Sequence, residues 1–200
     1  MSGNDRVTRL YLASASPRRR ELLQQLDIAF EAIPSNLLEV QATGESPADY
    51  VARVARDKAQ YVAQLIKERG IPVYPVLGAD TEVVLDGEIL GKPRDRTHGL
   101  ALLRRLAGCT HEVLSAICVV HRETELTALS TSRVTFSRLT ESEIAHYWET
   151  SEPADKAGAY AIQGRAAAFV THLEGSYSGV MGLPLYELSG ILKKIGTGGT

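Results

Sequence analysis

Two hundred residues, 44% hydrophobic and 23% charged, are enough for one sizeable core and fall short of two full domains. A net charge of −2 and a pI near 6.2 exclude a global attraction for nucleic acid or an anionic membrane, so any phosphate recognition has to come from a local cluster. The two cysteines, Cys109 and Cys118, exclude a disulfide framework and lack metal-ligand spacing, and no stretch has the apolar length of a signal peptide or membrane span.

These bounds predict one cytoplasmic domain over residues 1–200, with 1–9 and 196–200 as flexible tails. In chain order, Leu10-Tyr-Leu-Ala13 reads as a short strand running into the loop Ser14-Ala-Ser-Pro17, after which Glu21, Leu22, Leu23 and Leu26 continue at helical spacing. Phe30 to Ile33 reads as a second strand. Ser46 then caps a helix, with Pro47 in its first turn and Asp49 three residues after the cap, and Gly70 stops that helix after Arg69. Val76-Leu-Gly-Ala79 predicts an apolar strand ending at Asp80, and Thr81 to Leu85 turns at Asp86-Gly87 into Glu88-Ile-Leu90 as a hairpin.

Thr97 to Leu106 predicts a helix ended by Gly108, and His111 to Val120 and Leu126 to Phe136 are β-rich stretches. Thr140-Glu-Ser-Glu143 is a capping box for a helix reaching Thr150. Ala167 to Leu173 reads as a last strand, and Leu183-Pro184 leads into a closing helix. Strands and helices alternate without a strict βαβ rhythm, which predicts an α/β fold: a mixed, twisted sheet flanked by helices, with a cleft between two lobes.

Several short stretches carry chemical potential. Ser16-Pro17-Arg18-Arg19-Arg20 places three guanidinium groups in the first turn of a helix, where unpaired N–H groups and the macrodipole favour an anion. The same residues also suit a solvated basic turn paired with acids. Lys58 interrupts the apolar stripe Val51, Ala55, Val62, Leu65, so it points inward or toward a cleft, or snorkels outward. Asp80 follows an apolar strand, where the carboxyl end opens onto a crevice, a place for a metal, a general base or a turn cap. Lys92 is held beside Pro93 in a restricted loop. Asp155 to Gly164 combines small residues with Gln163, whose amide donates and accepts, as a pocket floor or a packed turn would. The five histidines have no ligand spacing.

Taken together and in order, Leu12-Ala-Ser-Ala-Ser-Pro-Arg18-Arg19, Gly78-Ala-Asp80-Thr81, Gly91-Lys92-Pro93, Asp155-Lys-Ala-Gly-Ala-Tyr160-Ala-Ile-Gln163-Gly164 and Gly182-Leu-Pro184 strongly resemble the Maf family. The match spans nearly the whole chain. The resemblance implies a homodimeric nucleoside triphosphate pyrophosphatase, related in fold to the ITPase-like (Ham1-type) enzymes and dependent on a divalent cation such as Mg²⁺ or Mn²⁺. It implies phosphate binding by Ser14, Arg18, Arg19, Lys58 and Lys92, catalysis by Asp80, Lys58 and Lys92, and metal binding by Glu39 and Asp80. The acidic run that often precedes the glutamate matching Glu39 is replaced here by Ser35-Asn-Leu-Leu.

The implied reaction is attack of water on the α-phosphorus with pyrophosphate leaving; cations offset the repulsion of an anionic triphosphate, and Asp80 orients or deprotonates the water. Arg18, Thr81 and Gln163 resemble the dTTP/UTP branch. The branch acting on 7-methyl-GTP typically has tryptophan, glutamine and glutamate at those places, suiting a cationic purine. Alternatives are the same chemistry on 7-methyl-GTP, CTP or modified pyrimidines, or a non-catalytic interaction protein in septum formation or cell-division arrest. Aromatic content of 6% and the net charge speak against a nucleic-acid binder.

Overall fold

β-branched and apolar runs supply the strands of a seven-stranded mixed sheet, seen in a computed structural model that describes residues 7 and 9–197, the side chain of Thr197 excepted. The strands are β1 (Arg9–Leu12), β2 (Ala29–Ala32), β3 (Val76–Leu85), β4 (Glu88–Ile89), β5 (Thr110–His121), β6 (Thr124–Phe136) and β7 (Val170–Glu174). Their order is β2-β1-β3-β5-β6-β7, with β4 turning back onto β3. β2, β1 and β3 are parallel; the rest of the ladder is antiparallel. The helices are α1 (Pro17–Gln24), α2 (Pro47–Arg69), α3 (Arg96–Leu106), α4 (Glu141–Trp148), α5 (Tyr177–Met181) and α6 (Leu185–Thr197).

Strand periodicity sorts the helices onto two faces. Leu10, Leu12, Leu77, Ile117 and Val119 point to α1 and α6, where Leu22, Leu23, Leu188, Ile191 and Leu192 cover them. Leu114, Ala116 and Cys118 point the other way, onto Val51, Ala55 and Ala59 of α2. A further cluster joins Val83, Val113, Val134 and Phe136 to Leu102, Leu103 and Leu106 of α3 and Ile144 and Tyr147 of α4.

Gly78 sets how closely α2 approaches. A Cβ there would lie 2.1 Å from the Ala55 carbonyl oxygen, so helix and strand meet backbone to backbone. Three residues on along the helix and two along the strand, that contact brings Lys58 level with Asp80 on the same face.

The expected mixed sheet flanked by helices is present, and the caps at Ser46 and Thr140 form as read. β3 differs: it does not end at Asp80 but continues to Leu85, because Thr81 to Val84 pairs with β5 in unbroken register and Leu85 pairs with Glu88 of β4. β1 pairs with β3 only as far as Leu77, so Asp80 still lies just beyond the carboxyl end of its parallel neighbour. Ala167–Phe169 is a 3₁₀ turn instead of strand, since an alanine-rich run lacks β-branching, and β7 starts at Val170. Of the expected tails, Arg9 opens β1 and residues 196–197 belong to α6; residues 1–6, 8 and 198–200 lie outside the described residues. Among the described residues no helix is long and apolar enough to cross a membrane.

Candidate active site

Every site residue read from the sequence lines one cavity of about 750 Å³: Ser14, Arg18, Arg19, Glu39, Lys58, Asp80, Thr81, Lys92 and Gln163. The cavity is bounded by the β1–α1 loop, the middle of β3, the stretch after β2, the loop after β4 and the segment 152–164.

Ser16 caps α1 and Pro17 occupies its first turn, which turns the three arginines in different directions. Arg20 leaves the site, its Nη2 donating to the Ala15 carbonyl at 2.7 Å. Arg18 and Arg19 enter it. The Arg19 guanidinium is fixed on three sides, donating from Nε to the Gly182 carbonyl at 2.9 Å, from Nη1 to Ser14 Oγ at 3.2 Å and from Nη2 to Thr81 Oγ1 at 3.4 Å. Burial works against its charge, and Asp80, Glu39 and Glu82 favour it. Burial, then the neighbouring Arg19, also lowers Arg18. An anion between these two guanidinium groups would relieve both effects.

Thr81 is tied into the same brace: its hydroxyl lies 2.9 Å from Ser115 Oγ, and Ser115 donates to the Gly179 carbonyl at 2.6 Å. The Gly182-Leu-Pro184 stretch thus has a local task, giving Arg19 a carbonyl while Leu183 is anchored in the core.

Lys58 is 7% exposed, so it points inward and does not snorkel. Its Nζ donates to Asp80 Oδ1 at 2.8 Å and stands 2.9 Å from Glu39 Oε1. Asp80 is 4% exposed, and its second oxygen, Oδ2, is buried without a hydrogen-bond partner. Lys92 is exposed in its loop, which is held by the Gly158 N–H donating to the Gly91 carbonyl at 2.7 Å. Gln163 stands exposed in the 161–165 turn.

Glu82 was missed. It follows Asp80 at strand spacing, so both carboxyl groups face the same side of β3, and Asp80-Thr-Glu82 is the period-2 signal that could have found it. Its Oε2 is also buried without a partner. Burial, then Asp80 and Glu39, push it up to about 8, while Lys58 and Lys92 pull it down. Tyr50 on α2 feels the same acids: burial first, then Glu82, Asp80 and Glu39, raise it to about 12.

Two buried carboxyl oxygens without partners are the donor set that a hard divalent cation takes. Asp80 and Glu82 fit Mg²⁺ or Mn²⁺ in this respect, and Glu39 is paired with the same Lys58 ammonium that holds Asp80. Among the described residues no three His, Cys, Asp or Glu side chains stand grouped for a metal, and Mg²⁺ commonly needs only one or two carboxylates beside substrate phosphates and water.

The pattern of the family described as Maf-like protein matches residues 9–195. A protein of Bordetella avium named dTTP/UTP pyrophosphatase is 48% identical over 96% of this chain and 98% of its own length. Proteins of the same name from Dechloromonas aromatica and Alkalilimnicola ehrlichii are 50% and 53% identical, over 94% and 92% of this chain and 98% and 91% of theirs. Among solved structures, the Staphylococcus aureus Ham1 protein overlaps 64% of this chain and 71% of its own, with a TM-score of 0.44 and 15% identity. With its sequence matched from β1 into α6, and with relatives at half identity over nearly their full length, the chain belongs to the Maf family.

Proposed function

We propose that the chain is a nucleoside triphosphate pyrophosphatase that hydrolyses dTTP and UTP to the monophosphate and pyrophosphate. The observation that carries it is Asp80, held by buried Lys58 through Oδ1 with Oδ2 left free, in the same cavity as Arg18, Arg19 and Lys92. The names of the half-identical relatives support the choice of substrate.

In this proposal Ser14, Arg18, Arg19 and Lys92 hold the phosphates. Asp80 Oδ2 accepts the proton of a water that attacks the α-phosphorus, and Lys58 fixes the carboxylate for that transfer. Thr81 holds the Arg19 guanidinium, and Arg18 and Gln163 contribute to choice of base, the glutamine amide matching the N–H and carbonyl edge shared by uracil and thymine. A divalent cation would be held by Asp80 with Glu39 or Glu82 and would supply further neutralisation of phosphate charge, competing with proton transfer for the free oxygen of Asp80. The enzyme works in the cytoplasm, in keeping with two free cysteines, and as a homodimer, which family resemblance alone supports.

A non-catalytic role in septum formation or cell-division arrest would not require a buried lysine–aspartate pair lining a cavity. The test is hydrolysis of dTTP with Mg²⁺ in ¹⁸O-labelled water. The expected products are pyrophosphate and dTMP, with the label in dTMP. Release of dTDP and phosphate, or label in pyrophosphate, would contradict attack at the α-phosphorus.

A further inference from the structure

Gln163 makes a demand that its own side chain does not meet. An amide can offer its carbonyl or its NH₂ group to the same partner by turning over, so a glutamine free to swing would accept cytosine as readily as uracil or thymine. Discrimination needs the amide presented at one place and angle against the base edge, and the backbone beneath it sets that place.

The structure contains such a hold. The turn closes on itself where the Gly164 N–H donates to the Ala161 carbonyl at 3.0 Å. On the near flank of Gln163, the Ala161 N–H donates to Tyr147 Oη at 3.1 Å. On the far flank, the Arg165 N–H donates to Glu152 Oε2 at 3.0 Å. Tyr147 Oη in turn donates to Glu152 Oε1 at 2.7 Å, joining the two supports into one unit. Tyr147 is 2% exposed and packed edge-on against Phe169, 5.2 Å between ring centres, so the unit is anchored in the α3–α4 core. Burial, then the Glu152 hydrogen bond, raise the Tyr147 phenol and keep its proton in place. Gly164 lets the turn lie against the carboxylate: a Cβ there would sit 2.3 Å from the Glu152 carboxyl group.

We propose that Tyr147 and Glu152 are positioning residues for nucleobase recognition, acting through the 161–165 turn that presents Gln163. Glu152 lines the cavity, and each of its oxygens is bound within this unit, so the task assigned to it is to hold the turn. This inference rests on the proposed role of Gln163 in a dTTP/UTP pyrophosphatase.

The test measures kcat and KM for dTTP and CTP in the wild type, Tyr147→Phe, Glu152→Gln, Gln163→Ala and the double variant Glu152→Gln/Gln163→Ala. Tyr147→Phe keeps the ring in the core and removes only the hydroxyl, which serves as the check should Glu152→Gln fold poorly. Each single variant of the brace should raise KM for dTTP about fivefold, the scale of one hydrogen bond, with kcat within about threefold. The preference for dTTP over CTP should fall with it. In the Gln163→Ala background, Glu152→Gln should change that preference no further. A lower melting temperature with an unaltered preference, or additive effects in the double variant, would overturn the inference. If the wild type turned over dTTP no better than CTP, the substrate assignment would fall first and the brace with it.

Discussion

Lys58 holds two carboxylates at once, Asp80 and Glu39, and this makes the replacement Asp80→Asn informative. The amide oxygen can still accept from Lys58, while the group that takes a proton or binds a cation is gone. Melting temperature should stay near or above that of the wild type, since a buried charge beside Glu82 is removed, and kcat should fall roughly 10²–10⁴-fold. Lost stability with unchanged turnover per folded molecule would mark Asp80 as a structural cap. His111 makes a second prediction. Burial lowers it to about 4, below the value near 6.5 of an unfolded chain, so its stabilising contribution is full above pH 6.5 and is lost as pH falls through 4. His111→Phe should melt lower at neutral pH, having lost the 2.8 Å hydrogen bond with Tyr160, yet show a flatter decline between about pH 6.5 and 4. An equally steep decline would move the acid sensitivity elsewhere. At this scale, charged residues in apolar or helix-start settings were legible: Arg18, Arg19, Lys58 and Asp80 all reach the cavity. Glu82 was not, because a single acid in a strand reads as a solvent-facing residue unless its neighbour two positions away is known to face inward. Tyr147 and Glu152 were missed for another reason, since nothing local ties them to a turn that begins at Ala161.

Between elements, the contact that matters most is α2 on β3 through Gly78. Gly78→Ala forces a methyl into the Ala55 carbonyl, and either α2 or the strand has to move. A loss of about 1–3 kcal/mol is the scale for such overpacking, and the shift should draw Lys58 from Asp80 and lower kcat as well. Wild-type melting temperature and kcat together would show that helix and strand do not meet backbone to backbone. Elements with strong punctuation were legible: Ser46, Pro47 and Gly70 bound α2, and the capping box starts α4. α5 was not, because five residues give helical periodicity too little length, although Ser176 caps it. The sequence ends the strand at Asp80 for a physical reason: a buried carboxylate interrupts the apolar run, and only the pairing with β5 shows that β3 continues.

Over the whole molecule, residues scattered from Ser14 to Gln163 converge on one cavity, an outcome that no spacing in the chain dictates. Their order, as a family resemblance, made that convergence legible; the sheet order that produces it was not, since β1 must pair with both β2 and β3 before the β1–α1 loop comes beside Asp80. Chelation tests the cavity as a unit. With Asp80 Oδ2 and Glu82 Oε2 unpartnered, turnover should cease in EDTA and return with Mg²⁺ or Mn²⁺, and a full rate in chelator would remove the cation from the proposal. Pyrophosphate release from a panel of nucleoside triphosphates, scored as kcat/KM for the wild type and Asp80→Asn, tests both the substrate and the role of Asp80. dTTP and UTP should come foremost, ahead of CTP, 7-methyl-GTP and the common purines, with kcat/KM roughly 10²–10⁴-fold lower in Asp80→Asn. A wild type that prefers another base, or an Asp80→Asn variant that hydrolyses dTTP at close to the wild-type rate, would contradict the proposed function.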